Sequence, residues 1–282
     1  MKKLFVIMLA VNAIDLSEDA YESVLESELP EGTEWKFLII DQDSEDDTRF
    51  WKEKHLETEY IRNVPRVSVA GAWNQGIKRG LEWGADHILV INNDIYLHHK
   101  TIKHLMAFMD ETGYLMVTAD NIQERMSLET MVQMELPVEF TDYDCAEIGD
   151  WRAEGPDFSC FMICPETISV IGYFDENFKG AYCEDQDYHV RMNRARVHAE
   201  KHNDQVVEAD RIHARRLSTA PYMHFSSQTL VRNPKLRHDI AMQHGRNQNY
   251  FTRKWGTSHP SAMDGSGSIQ PFGDARQNWR DW

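Results

Sequence analysis

Three short stretches of this chain gather polar chemistry at close spacing. Glu184, Asp185 and Asp187 put three carboxylates into four residues. Like charges that close repel one another, so such clusters are either solvated or used on a cation or a proton. A solvated start to a helix accounts for them as well, because acidic side chains favour the positive end of the helix dipole. Asn92-Asn93-Asp94 ends an apolar run of Ile, Leu and Val. A carboxylate held there by a rigid strand can bind a divalent cation, which would neutralise a diphosphate, and hard oxygen donors suit Mg²⁺ or Mn²⁺. The tripeptide is also ordinary turn chemistry. A third acidic stretch, Asp41 to Thr48, follows another apolar run.

These stretches need elements to hold them. Leu4 to Val11 is a continuous apolar run without helical period, as expected of a strand buried on both faces. Ala20, Val24 and Leu25 give helical spacing over Ser17 to Glu28, closed by Pro30 and Gly32. A second strand over Trp35 to Ile40, a helix, a short strand near Tyr60 to Asn63, a helix over Val69 to Trp83 and a strand over His87 to Ile91 follow. This alternation predicts an α/β fold with a doubly wound, mostly parallel sheet, in which ligands bind beyond the carboxyl ends of the strands. The acidic loops after Ile40 and Ile91 fall there. Residues 120 to 150 read as an insertion or loop, the chain after Tyr222 as helical and basic, and Ser258 to Gly273 as a mobile linker. The expected division is a core over 1–220, its basic helical C-terminal part over 221–256, and a flexible tail over 257–282 that carries Trp279 and Trp282.

Composition bounds the rest. The 282 residues are 41% hydrophobic and 11% aromatic, enough for one large domain and too much for wholesale disorder. The Leu4 to Val11 run is too short to span a membrane and no small-residue cleavage site follows it, so a buried strand and a cytoplasmic chain without a helical anchor are expected. Cys145, Cys160, Cys164 and Cys183 are too few and too irregularly spaced for a disulfide framework or a four-cysteine zinc site, and Cys160 and Cys164, which flank an apolar run, read as small buried side chains. The net charge of −16 argues against broad nucleic-acid affinity. It is unevenly spread: residues 1–188 carry 15 Lys+Arg against 38 Asp+Glu, and residues 189–254 carry 13 against 5. The basic segment either faces a polyanion or compensates the acidic part.

Taken in order, several matches resemble the family-two, GT-A-type glycosyltransferases, and within them the rhamnosyltransferase-like branch. They are Asp41-x-x-Ser44-x-Asp46-x-Thr48, Gly71-x-x-Asn74-x-Gly76-Ile77, Ile91-Asn92-Asn93-Asp94, Ile171-Gly172-x-Phe174-Asp175-Glu176-x-Phe178, Glu184-Asp185-x-Asp187 with Arg191, His224-x-x-Ser227-x-Thr229, and Asn249-Tyr250-Phe251-x-x-Lys254-Trp255-Gly256. The resemblance implies a GT-A fold, a Rossmann-like sheet flanked by helices. It implies that Asp41 contacts the nucleotide base with Asp43 and Ser44 nearby, and that Asn74, Asn92 and Asn93 face the nucleotide sugar. Asp94 would be the metal carboxylate of an Asp-x-Asp-type motif whose first Asp is here Asn92. Asp185 would be the catalytic base with Glu184 beside it. His224 would be a further metal ligand or diphosphate contact, or else a packed or surface histidine. Lys254 and the segment Arg211 to Arg216 would assist the diphosphate.

The activity implied is inverting, Mn²⁺- or Mg²⁺-dependent transfer from a nucleoside diphosphate sugar, UDP- or dTDP-type, to a hydroxyl acceptor. Such a displacement builds negative charge on the leaving diphosphate and needs a base for the acceptor proton. The acceptor would be a saccharide. The alternative is a phage-type DNA glycosyltransferase acting in the host cytoplasm on a hydroxymethylated base, with Arg211, Arg215, Arg216, Arg232, Arg237 and Arg246 on the phosphates. A non-catalytic nucleotide-sugar-binding module would keep Asp41 and Asp94 and lose the base. A nucleotidyltransferase would need a Gly-rich phosphate loop after the first strand, which Val11 to Asp15 does not provide.

Overall fold

The computed structural model describes residues 1–124, 151–152, 155–202, 207–225 and 231–256. Most of the expected 120–150 loop, Cys145, Ser227, Thr229 and the tail with Trp279 and Trp282 lie outside the described residues.

Strand β1 (Lys3–Ala10) is the axis of the sheet. It runs parallel to β2 (Glu34–Asp41) on one side and to β4 (His87–Asn92) on the other. β3 (Glu59–Arg62) extends the parallel half beyond β2. On the other side of β4 the sheet turns mixed. β8 (Cys160–Ile163) is antiparallel to both β4 and β6 (Met116–Asn121), and β6 runs parallel to β9 (Ala214–His224). β5 (Ile95–Leu97) and β7 (Trp151–Arg152) both pair antiparallel with β9. The order is β3-β2-β1-β4-β8-β6-β9-β5. This is the expected α/β architecture of GT-A type, parallel where nucleotide-binding loops belong and mixed beyond.

Alternating side chains of β1 divide the core into two layers. Leu4, Val6 and Met8 pack with α1 (Ile14–Leu25) and α4 (Thr101–Thr112). Phe5 and Ile7 face α3 (Val69–Trp83), and the same layer takes in Ile171 of α5 (Pro165–Ile171) and Tyr188 and Met192 of α6 (Glu184–His202). α3 lies so close to β1 that a Cβ at Gly76 would meet Ile7 Cγ2 at 2.7 Å. The glycine of the Asn74-x-Gly76 stretch is therefore a packing requirement. Helix α2 (Trp51–Lys54) buries Trp51. A third cluster joins Phe178, Cys183 and Val190 to Phe251 and Trp255 of α7 (Pro234–Trp255).

The expected boundaries of α3 match those observed, because Ser68 accepts a hydrogen bond from the Gly71 N–H and Gly84 ends the helix at φ 79°. α1 begins at Ile14, earlier than the expected Ser17. Its first free N–H, that of Ile14, donates to Asp46 Oδ2 at 3.0 Å, so the helix start is set by a residue from another loop. β9 is continuous across 220/221, so the expected boundary between core and C-terminal part falls within a strand. No helix among the described residues is long and apolar enough to cross a membrane.

Candidate active site

A cleft of about 580 Å³ opens at the carboxyl ends of β1 and β4, and Asn92, Asn93, Asp94, Glu184, Asp185 and His224 all line it. Sheet pairing assembles its first wall. β4 ends at Asn92, the chain turns through Asn93 and Asp94, and β5 then pairs with β9 so that Ile95 lies opposite His224. The Phe225 N–H donates to the Asp94 carbonyl at 2.8 Å. Asp94 Oδ1 and His224 Nε2 are thereby brought to 3.2 Å across 130 positions of sequence. Asn93 braces the turn, donating from Nδ2 to the Asn12 carbonyl at 3.2 Å and to Ser17 Oγ at 3.0 Å.

The opposite wall is the start of α6. The chain enters it through Tyr182 and Cys183, both left-handed at φ 77° and 75°. For residues with side chains this conformation is costly and persists only where the surroundings enforce it. Asn247 of α7 enforces it: buried, it donates to the carbonyls of Lys179, Ala181 and Tyr182 at 2.8 to 3.0 Å and accepts from the Lys179 N–H at 3.0 Å. Burial, then the charge of Asp185, pushes the Glu184 carboxyl up to about 8, against partial compensation by backbone N–H donors. Burial raises Asp185 as well, opposed by backbone N–H groups of the helix start, and the Asp157 charge adds to the rise. Asp185 Oδ1 is a buried acceptor with no hydrogen-bond partner among the described residues. A carboxylate oxygen so placed is suited to take a proton from a bound hydroxyl.

Asp187 belongs to the same acidic run but serves another purpose. It is fully buried and receives Arg191 Nε at 2.9 Å, Trp255 Nε1 at 2.8 Å and Lys254 Nζ at 2.7 Å. Lys254 also reaches Asp175 Oδ2 at 2.7 Å. Lys254, expected at the diphosphate, has its ammonium buried between these two carboxylates and is not among the residues that line the cleft. Asn74, expected to face the nucleotide, is likewise engaged within the protein. Its side chain donates to the Phe174 carbonyl and Glu176 Oε1 and accepts from the Phe174 N–H, clipping α3 to the 174–176 loop.

Asp41 is also held inside the protein. Its Oδ1 accepts from the Ser44 N–H at 2.9 Å and its Oδ2 from the Tyr60 hydroxyl at 2.7 Å, with no exposed surface. Ser44 Oγ accepts from the Asn12 N–H at 2.8 Å, and Asn12 Oδ1 accepts from the Glu45 N–H at 2.8 Å. Asp43, left-handed at φ 59°, lies 3.8 Å from Arg62. These residues stitch the loops after β1 and β2 together, and Gln42 is the one of the 41–44 turn that lines the cleft. Arg211 is likewise engaged away from it, with Glu166 and the Gly113 carbonyl.

Sequence reasoning named Arg216, which lines the cleft, but missed the carboxylates that hold it. Arg216 lies 3.0 Å from Asp120 and 3.7 Å from Asp157, which also accepts from the Tyr222 hydroxyl. Asp157 lies just before β8, and its alignment with Arg216 depends on pairing between β6 and β9. Asn12 and Asn247 left no signal in spacing, since each side chain binds the backbone of a segment distant in sequence.

Among the described residues no three His, Cys, Asp or Glu side chains converge on a metal position. Asp94 and His224 supply one oxygen and one nitrogen donor. That fits a divalent ion that completes its shell with water and substrate phosphates, as Mg²⁺ sites commonly do.

The sequence model of glycosyl transferase family 2 matches residues 5–164, from β1 through β8, and so includes Asp94 but ends before Glu184. Among solved structures, residues 1–349 of Staphylococcus aureus TarS are similar at a TM-score of 0.52 and 17% identity, over 88% of this chain and 68% of that one. The same segment in complex with UDP-GlcNAc gives 0.53 and 15% over 95% and 75%. Against a longer TarS chain the score is 0.53 at 17% identity, and this chain spans 42% of its length. At these identities the shared property is the fold. Comparison with curated protein sequences gives no match.

Proposed function

Since the chain belongs to glycosyl transferase family 2, we propose that it moves a sugar from a nucleoside diphosphate sugar to a hydroxyl acceptor with inversion, Asp185 taking the acceptor proton. The observation that carries this reading is the buried Oδ1 of Asp185, unpartnered among the described residues, in the cleft that also holds Asp94 and His224. The acceptor oxygen attacks the anomeric carbon. The bond from that carbon to the diphosphate oxygen breaks, its electron pair stays on the diphosphate, and the acceptor proton goes to Asp185. Burial makes Asp185 a stronger base than an exposed aspartate. Burial and mutual repulsion favour protonation of both Glu184 and Asp185, so the two carboxyls titrate as a pair and a proton taken by either is shared between them.

Asp94 and His224 would hold Mn²⁺ or Mg²⁺ together with the diphosphate, and the ion would offset the charge that builds there. Gln42, Asn92 and Asn93 are the nucleotide-sugar contacts on this reading, while Asp41, Asp43 and Ser44 shape the loops around them. The proposed donor is UDP-type, because a TarS structure of the same fold holds UDP-GlcNAc. A dTDP-sugar, suggested by the rhamnosyltransferase-like stretches, is the second donor. A saccharide acceptor is favoured over a modified DNA base, because Arg211, Arg216 and Arg232 are paired with Glu166, Asp120 and Asp15. The proposed compartment is the cytoplasm.

The test is release of nucleoside diphosphate from UDP- and dTDP-sugars by the wild-type protein and by Asp185→Asn. A fall in turnover of about 10²- to 10⁴-fold in the variant, with donor affinity kept, is expected for loss of a general base. Equal turnover in the two proteins would remove Asp185 from the mechanism.

A further inference from the structure

We propose that Tyr182 is the acceptor-binding platform, on which a saccharide acceptor lays the apolar face of a pyranose ring while presenting its hydroxyl to Asp185. This rests on the reading of Asp185 as the base. Tyr182 lines the cleft and precedes Asp185 by three residues, yet it is 42% exposed. Among the described residues, the other Trp, Tyr or Phe side chains of the cleft, Trp73 and Phe158, are 3% and 9% exposed and belong to the core. Among the described residues Tyr182 is thus the one exposed tyrosine, tryptophan or phenylalanine that lines the cleft.

That ring is held in place. Its backbone is left-handed, its carbonyl is bound by Asn247, and His244 of α7 packs against it with ring centroids 5.0 Å apart at 47°. A ring fixed before binding loses little entropy when a ligand covers it. A tyrosine offers a sugar both an apolar face and a hydroxyl at the rim. The donor is expected elsewhere, beside Gln42 and the Asp94–His224 pair. Displacement in line requires the acceptor on the face of the anomeric carbon away from the diphosphate, and Asp185 takes the proton there. A ring that lines the same cleft and lies within reach of the Glu184 and Asp185 charges is placed to contact that acceptor.

The experiment is saturation-transfer NMR on the full chain with methyl β-D-glucopyranoside, methyl β-D-galactopyranoside and methyl N-acetyl-β-D-glucosaminide, each without donor. The wild type should transfer saturation to the ring C–H protons of at least one glycoside. Tyr182→Ala should lower the signal about fivefold and Tyr182→Phe should keep it. UDP titration and thermal melts of the variants check that the fold is intact. An undiminished signal in Tyr182→Ala, or no transfer from the wild type to any of the three, overturns the proposal. The donor reading is judged separately: a chain that binds glycosides through Tyr182 but releases no nucleoside diphosphate keeps the platform and loses the base.

Discussion

Lys254 Nζ lies 2.7 Å from the Asp187 carboxylate, and the pair has almost no exposed surface. Asp185 and Asp187 are two residues apart on α6, about 200° around the helix, so one motif serves two faces. Asp185 opens into the cleft and Asp187 anchors α7 from beneath, with Arg191 and Trp255 as its other partners. Lys254→Met would leave Asp187 and Asp175 buried without their shared cation, a change that typically costs about 3–5 kcal/mol. The melting temperature should fall by on the order of 10 °C. Affinity for UDP, measured well below the melt, should be unchanged. Weaker UDP binding with an unaltered melt would return Lys254 to the donor site.

Glu184 makes the protein less stable in alkali. Its carboxyl is pushed up to about 8 from 4.5, so between these values the folded state holds a proton that the unfolded chain has lost. Stability therefore falls as pH rises across that window, and the full cost is present above it. Glu184→Gln keeps the neutral shape and removes the titration. Its melting temperature should match the wild type near pH 5 and exceed it by several degrees near pH 9. Parallel melting curves across this range would show that Glu184 is not held protonated.

What the chain disclosed before folding is what depends on local pattern. The apolar run of β1, the cap of α3 at Ser68 and its end at Gly84, and the exit of β4 into Asn92-Asn93-Asp94 all follow from short-range rules. β9 was legible only as basic, because Arg216 is neutralised by Asp120 and Asp157 from distant segments. The same limit explains Asn74 and Lys254. Motif order brings them near the site, but which way a side chain points depends on partners such as the Phe174 backbone and Asp187, and spacing does not encode those. Asp94 and His224 were readable as separate candidates. Their meeting needed the β5–β9 ladder.

Asn247 positions the Asp185 wall without lining the cleft. Its contacts to Lys179, Ala181 and Tyr182 hold the two left-handed residues that lead into α6. Asn247→Ala should lower kcat by about 10- to 100-fold, since misplacement of a reacting group by about 1 Å is enough for such a loss, and leave donor KM nearly unchanged. Asn247→Asp should be worse than Ala, because a carboxylate cannot donate to the three carbonyls and would repel them. A purely structural role would lower the yield of folded protein equally in both variants and leave the kcat of the folded fraction alone. Wild-type kcat in Asn247→Ala would remove the clamp from the account.

The Asp94–His224 pair supplies only two donors, so metal and nucleotide should depend on each other for binding. A divalent ion that needs diphosphate oxygens to fill its shell will bind weakly alone and tightly with UDP. Thermal shift separates the cases, because a ligand that binds only the native state raises the melt in proportion to RT ln(1 + [L]/Kd). UDP with Mn²⁺ should raise the wild-type melting temperature by more than the sum of the shifts from UDP alone and Mn²⁺ alone. In Asp94→Asn the excess should vanish while the shift from UDP alone persists, since the change keeps the shape of the side chain and removes its charge. His224→Ala should reduce the excess in part, because the imidazole is the weaker, neutral donor. If Asp94→Asn shows the same excess as the wild type, the ion is held elsewhere and the pair serves only to pin β5 against β9.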